Sequence, residues 1–217
     1  MGAQLIPASD RSLLVSYGDT LTPEAHGQVV QLLAALDARP LPGVLDLSPA
    51  SASILIRFDP LAIGHSEVEA HVRALLADAG VTTAPAGRLV EIPVAYGGAE
   101  GPDLEDVARA AGLSADEVVR RHVGTIYDVF FLGFLPGFAY MGLVPEAIAC
   151  PRLPEPRREV PAGSVGIAGR MTAVYPMATP GGWRIIGRTT ARLFDPARRP
   201  MALLQAGDRV RFVAGEP

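Results

Sequence analysis

From Thr125 onward, 22 of 93 residues are glycine or proline, against 12 of the first 80. Breakers at that density leave no room for a long helix, because proline removes a backbone donor and glycine carries a high entropic cost in helices. Short apolar runs alternate with them: Tyr127 to Phe131, Ser164 to Ala168, Trp183 to Ile186, Ala191 to Phe194 and Arg209 to Val213. Brief apolar segments at this spacing predict a compact β-barrel or sandwich.

The first part reads differently. Ser12 to Tyr17 predicts a strand. Thr22 followed by Pro23 is a helix start, with Thr as the N-cap and Pro at the first helical position. Val29, Leu32, Leu33 and Leu36 then form one apolar face. Val44 to Leu47 and Ser53 to Phe58 predict two more strands. Ser66 with Glu69 reads as a capping box opening a second helix, whose apolar face runs through Val68, Val72, Leu75, Leu76 and Ala79 and which Gly80 closes. The order predicts a small α+β sandwich. Residues 82–87, Thr-Thr-Ala-Pro-Ala-Gly, are the best linker, which sets the domains at 1–85 and 86–217. Leu89 to Tyr96 is a strand that Pro93 places at a sheet edge. Asp103 to Ala111 and Ser114 to His122 are short helices, the second with Ser114 and Glu117 as a capping box.

Composition narrows the chemistry. All 19 basic residues are Arg, and the chain has no Lys. A Walker A phosphate loop and a Schiff-base or biotin-bearing lysine are therefore excluded within it. There is no Asn, so there is no N-glycosylation site. The single cysteine, Cys150, cannot form an internal disulfide, which suits a reducing cytoplasm. No basic stretch followed by an apolar block opens the chain as a secretory signal would. The run from Val129 to Val144 is too short and too interrupted to span a membrane. The net charge of −4 is uneven: residues 1–124 hold 8 Arg against 16 acids, and residues 125–217 hold 11 Arg against 7. A local anion site in the second half fits that balance; broad nucleic-acid binding does not.

Generic catalytic motifs fail. Ala162-Gly163-Ser164-Val165-Gly166 is one residue from a nucleophile elbow but lacks the strand before and helix after, so it reads as a tight turn. His65 and His71 do not share a helical face, and Cys150 reads as a small buried residue. What remains is dense in glycine, aromatics and arginine: Gly133 to Gly142, Pro156 to Gly169, and Thr179 to Thr189. On composition alone it fits a binding surface and a barrel core equally well.

These segments carry a resemblance. G-F-x-P-G-F-x-Y-x-G, P-R-x-x-V-P-A-G-S-V-G-I-A-G and P-G-G-W-x-I-I-G-R-T, with Tyr96-Gly97-Gly98, Gly101-Pro102-Asp103-Leu104, His122 and Leu193-Phe194-Asp195-Pro196, resemble the KipI / allophanate hydrolase subunit 1 family over residues 90–213. The resemblance implies an N-terminal α+β domain followed by a cyclophilin-like β-barrel. It also implies one component of a heteromeric 5-oxoprolinase that opens 5-oxo-L-proline to L-glutamate, with ATP as co-substrate, accompanied by Mg²⁺. The partners it implies are a KipA-type protein, similar to allophanate hydrolase subunit 2, and a LamB/YcsF-type protein. Within the same family the alternatives are a kinase-inhibiting binding protein and a component that processes allophanate or urea.

The candidate site residues lie in the second domain. Arg157 would bind a carboxylate or phosphate. His122 is either an acid or base near neutral pH or a satisfied structural histidine. Pro136, Gly137, Phe138, Tyr140, Ser164, Tyr175, Gly181, Gly182, Trp183 and Arg188 would line the substrate. Gly181-Gly182 is expected to be a corner needing positive φ or tight backbone passage. No metal-ligand cluster is visible, and the chain alone is expected not to turn over 5-oxoproline.

Overall fold

A tight turn at Asp10-Arg11 folds the first residues back on themselves, so that β1 (Gln4–Ser9) pairs antiparallel with β2 (Ser12–Ser16). A computed structural model describes residues 2–78 and 87–215 of the chain, which divides into two compact units, residues 1–86 and 87–217. In the first unit β1 and β2 are joined by α1 (Pro23–Ala38), β3 (Val44–Pro49), β4 (Ser53–Phe58) and α2 (His65–Asp78). The sheet order is β1-β2-β4-β3, antiparallel throughout.

Thr22 caps α1 as expected, its hydroxyl accepting from Ala25 N–H at 3.1 Å. Val29, Leu32 and Leu36 are buried against Leu13, Val15, Ile54, Ile56 and Phe58 of the sheet. The start of α2 corrects the sequence reading. The helix begins at His65, and it is Glu67 whose carboxylate reaches back, accepting from Gly64 N–H at 3.1 Å. Strand β1 escapes the sequence reading, because Pro7 and its mostly exposed side chains leave no apolar alternation to read. The expected helix end at Ala79 and Gly80, and residues 82–86 of the expected linker, lie outside the described residues.

The second unit is a closed barrel in the order β10-β7-β6-β13-β5-β12-β9. Its strands are β5 (Leu89–Tyr96), β6 (Ile126–Leu132), β7 (Ala139–Gly142), β9 (Ser164–Ala168), β10 (Met171–Val174), β12 (Arg184–Arg188) and β13 (Arg209–Ala214). Two further strands, β8 (Arg157–Val160) and β11 (Thr179–Gly181), pair as a separate ribbon. The helices α3 (Leu104–Ala111) and α4 (Ala115–Val123) pack on each other, α3 also on β12 and α4 on β13. Ser114 caps α4 by accepting from Glu117 N–H at 3.2 Å. With four α-helices, a four-stranded sheet, a closed barrel and a two-stranded ribbon among the described residues, the fold is α+β, as expected.

Two expectations fail here for physical reasons. Pro93 lies inside the barrel wall, not at an edge. Strand β13 runs parallel to β5, with Arg209 N–H on the Arg88 carbonyl and Gly215 N–H on the Val94 carbonyl. Parallel pairing alternates sides along a strand, so β13 takes the even-numbered residues of β5. Pro93 faces the β12 side, where pairing covers only Ala95 and Tyr96, and its missing N–H is not needed. Ala191 to Phe194 is not a strand. It forms only an isolated bridge, Phe194 to Ala202, with Leu203 N–H on the Leu193 carbonyl.

Candidate functional site

Asp103 sits at the N-cap of α3, where an aspartate ordinarily binds the helix's first free N–H groups. Its side chain makes no such bond. Instead Oδ1 accepts from Arg157 Nη2 at 2.7 Å and Oδ2 accepts from Ile185 N–H at 2.6 Å. Asp103 N–H returns a bond to the Ile185 carbonyl at 2.8 Å. One carboxylate, only 3% exposed, therefore ties the start of α3 to β12 and to the guanidinium on β8. A charge so buried persists only when paired and hydrogen-bonded. Arg157 keeps Nη1 buried without a partner among the described residues.

Beside this pair lies a recess of about 200 Å³, lined by Arg157, Ser164, Arg188, Glu100, Glu159 and Pro102. Arg188, at the end of β12, donates through Nε to the Ala162 carbonyl at 3.1 Å and pairs through Nη1 with Glu100 at 3.3 Å. Arg188 and Glu100 also line a second recess of about 570 Å³. Two guanidinium forks at a small pocket suit a carboxylate or a phosphate. Of the residues expected from sequence, Arg157, Ser164 and Arg188 are thus brought together. Asp103 and Glu100 escape the sequence reading. Asp103 already has a structural explanation there as a helix start, which hides its charge role.

The aromatic residues gather elsewhere. Phe138, Tyr140, Tyr175 and Trp183 pack edge-to-face on one another, with ring centroids 4.9 to 5.9 Å apart. Phe138, Tyr175 and Trp183 are buried, together with Val160, Ala173 and Ile185. They are a satellite core under the β8–β11 ribbon rather than flat walls of the recess. Gly137 is buried and Pro136 exposed, on the turn that leads into Phe138. Of the paired glycines, Gly181 is the tight one, where an added Cβ would fall 2.5 Å from the Tyr175 hydroxyl. Gly182 does not need to be glycine: a Cβ there would meet Pro156 at an ordinary 3.7 Å, and its φ is not positive.

His122 is not at the recess. It is fully buried, stacked on Phe212 with centroids 4.7 Å apart. Its Nε2 lies 3.0 Å from Thr172 Oγ1, and its Nδ1 lies 2.8 Å from the Tyr96 hydroxyl. Thr172 donates its single hydroxyl proton to the Gly166 carbonyl. Nε2 must then donate to Thr172, and Nδ1 must accept from Tyr96. That fixes one neutral tautomer, and burial pushes the pKa down to about 3. His122 is a buried strut joining α4 to β5 and β10, which corrects the acid–base expectation.

A pH dependence follows. In the unfolded chain His122 titrates near 6.5, but only near 3 when folded, so unfolding takes up a proton in mild acid. The stability contributed by the neutral ring is complete above pH 6.5 and is lost as the pH falls toward 3. Going from pH 7 to pH 5 should cost about 2 kcal/mol. Urea titrations followed by the fluorescence of Trp183, the single tryptophan, report on this unit. A slope that persists unchanged in His122→Gln would place the effect on another group.

Cys150 is buried, and burial pushes its thiol up to about 11, which disfavours the reactive thiolate. Among the described residues no three His, Cys, Asp or Glu side chains converge to hold a metal ion. No described helix is long and apolar enough to cross a membrane.

Comparison with known proteins adds to this geometry. The family model described as "Carboxyltransferase domain, subdomain C and D" matches residues 3–204. The chain is 40% identical to a protein of Bacillus subtilis (strain 168) named as the B subunit of 5-oxoprolinase, over 97% of this chain and 92% of that one. It is 59% identical to a protein of the same name from Escherichia coli O157:H7, over 59% of each chain. Among solved structures, TTHA0988 superposes with a TM-score of 0.85 at 36% identity, and this chain spans 41% of that longer one. PH0987 from Pyrococcus horikoshii is 44% identical over 98% of both chains, with a TM-score of 0.58.

Proposed function

Since the chain belongs to the family of the carboxyltransferase domain, subdomains C and D, we propose that it is the B-type subunit of a 5-oxoprolinase, working with partner proteins in the ATP-dependent opening of 5-oxo-L-proline to L-glutamate. The observation that carries this reading is the match, over nearly the whole of both chains, to a relative named for that activity. The small recess supports it chemically. Its volume of about 200 Å³ suits a five-membered ring bearing one carboxylate, and Arg157 is held beside it by Asp103.

A lactam is a poor electrophile, so its carbonyl oxygen must be activated before water attacks. ATP supplies that activation by phosphorylation, and the charge that develops is negative. Fixed guanidinium groups stabilise such charge without reorganising. In this reading Arg157 holds the substrate carboxylate, and Arg188 lines both this recess and the larger one. The carboxylates lining the recess are Glu100, which is paired with Arg188, and Glu159, and neither is assigned the role of general base. We place that role, and a Mg²⁺ accompanying ATP, with the KipA-type and LamB/YcsF-type partners or with the nucleotide.

Reconstitution tests the reading. The chain, its KipA-type partner and the LamB/YcsF-type partner are purified and combined, and glutamate formation from 5-oxo-L-proline is measured with and without ATP. Turnover that requires all three supports it; no turnover by the assembled mixture overturns it. Within that assay Arg157→Ala should lower kcat/KM by a factor corresponding to about 1.5–3 kcal/mol, the value of a charge-assisted hydrogen bond. Full activity would remove Arg157 from the site.

A further inference from the structure

The larger recess, of about 570 Å³, is lined by Arg188, Arg192, Thr190, Gly163, Pro176 and Glu100 among others. We propose that it binds the phosphate groups of a phosphorylated ligand. Four arginines, at 188, 192, 198 and 199, lie in or beside the turn that follows β12, and the carboxylates paired with them are Glu100 and Asp195. Arg188 meets Glu100 at 3.3 Å, and Arg192 meets Asp195 at 3.1 Å. Arg198 Nη2 donates to the Arg192 carbonyl at 3.0 Å, which keeps a third positive charge on the same turn. A guanidinium has five N–H donors. These contacts use two on Arg188 and one on Arg192.

The arrangement suits phosphate. One guanidinium fork suffices for a carboxylate's two oxygens, whereas two forks at one recess match a tetrahedral group carrying more charge. The turn is fixed in place: buried Thr189 accepts from Ala191 N–H at 3.1 Å, and Thr189 N–H bonds the Gly163 carbonyl at 2.9 Å. The recess is also far larger than a lone oxyanion, in the range that holds a whole small ligand. Glu100 and Asp195 act as internal competitors that an incoming anion displaces. The inference rests on the ring-opening reading only for its biological ligand; the binding itself is read without turnover.

The test titrates ATP, pyrophosphate and inorganic phosphate into the full chain at constant ionic strength, by calorimetry. At least one of the three should bind with a submillimolar Kd. Arg192→Ala should weaken that binding at least tenfold with an unchanged melting temperature, since the Arg192 side chain is 73% exposed. Arg192→Lys, which keeps the charge but loses the fork, should recover only part of it. Asp195→Asn should tighten it severalfold, because Arg192 loses its internal competitor. That gain is one a merely structural turn would not produce. ATP binding well above pyrophosphate identifies a nucleotide; equal binding identifies the phosphate chain alone. Binding of none of the three, binding indifferent to all three variants, or binding of an acidic peptide in their place overturns the proposal. A chain that binds ATP in this way yet never supports glutamate formation keeps the site and loses the ring-opening reading.

Discussion

Asp103→Ala should destabilise the barrel unit by about 3–5 kcal/mol, the cost of removing one partner from a buried ion pair. Two losses combine. Arg157 keeps a partly buried charge with no counter-ion, and Ile185 N–H loses the carboxylate that satisfies it at 2.6 Å. The helix itself should not suffer, because Asp103 makes no capping bond in its own turn. Asp103→Asn separates the two losses, since an amide oxygen can still accept from Ile185 while the charge on Arg157 goes unbalanced. Denaturant titration followed by Trp183 fluorescence measures stability, and the reconstituted assay measures activity. In Asp103→Asn a raised KM at near-normal kcat would mark Asp103 as positioning Arg157 for the ground state. If Asp103→Ala unfolds at the same denaturant concentration as the parent chain, the carboxylate does not organise this unit.

Gly163→Ala should cost about 3 kcal/mol or more. Gly163 has φ of +82°, where a side chain is strained, and a Cβ there would overlap the Thr189 carbonyl oxygen. That oxygen cannot step aside cheaply, because Thr189 N–H is bonded to the Gly163 carbonyl while Gly163 N–H is bonded to Tyr175. The glycine is a three-way junction, and it also lines the larger recess. Gly182→Ala is the matched control, with open contacts and ordinary φ, and should change stability by less than about 1 kcal/mol. Equal melting temperatures for Gly163→Ala and the parent would contradict the geometry.

The contrast between neighbouring glycines shows where sequence reading reaches its limit. A Gly-Gly pair announces a corner, but which glycine is obligatory depends on Tyr175, whose ring the β8–β11 ribbon brings back against Gly181. Local signals are legible: Thr22 and Ser114 cap their helices because a cap is decided within a single turn. The barrel is legible as a texture of short runs and breakers, yet β7, β8, β10 and β11 are not, being three or four residues long and set among glycines. Ala191 to Phe194 looks like a strand because it is apolar, although in the fold its apolar side chains anchor a turn. His122 shows the same limit in a different form. A histidine beside a recognisable motif suggests proton transfer, and only Thr172, far along the chain, reveals that its proton is already committed. Arg157, Ser164 and Arg188, expected together because arginine stands beside glycine-rich backbone, do line one recess in the fold.

The parallel contact between β5 and β13 has a consequence for how the molecule is made. These strands are the first and the last of the barrel in the chain, and the rest of the barrel lies between them. On a ribosome the N-terminal unit has every strand of its sheet once Phe58 has emerged, and it can form early from nearby pairings. The barrel cannot. Ile92 and Val94 of β5 remain without their neighbours until Phe212 and Ala214 have left the exit tunnel, so an apolar strand waits through most of the unit's synthesis. Such a strand is open to mispairing in that interval. Glu91 and Arg211, which face each other across the finished seam at 3.2 Å, place a charge in each partner of that slow joint.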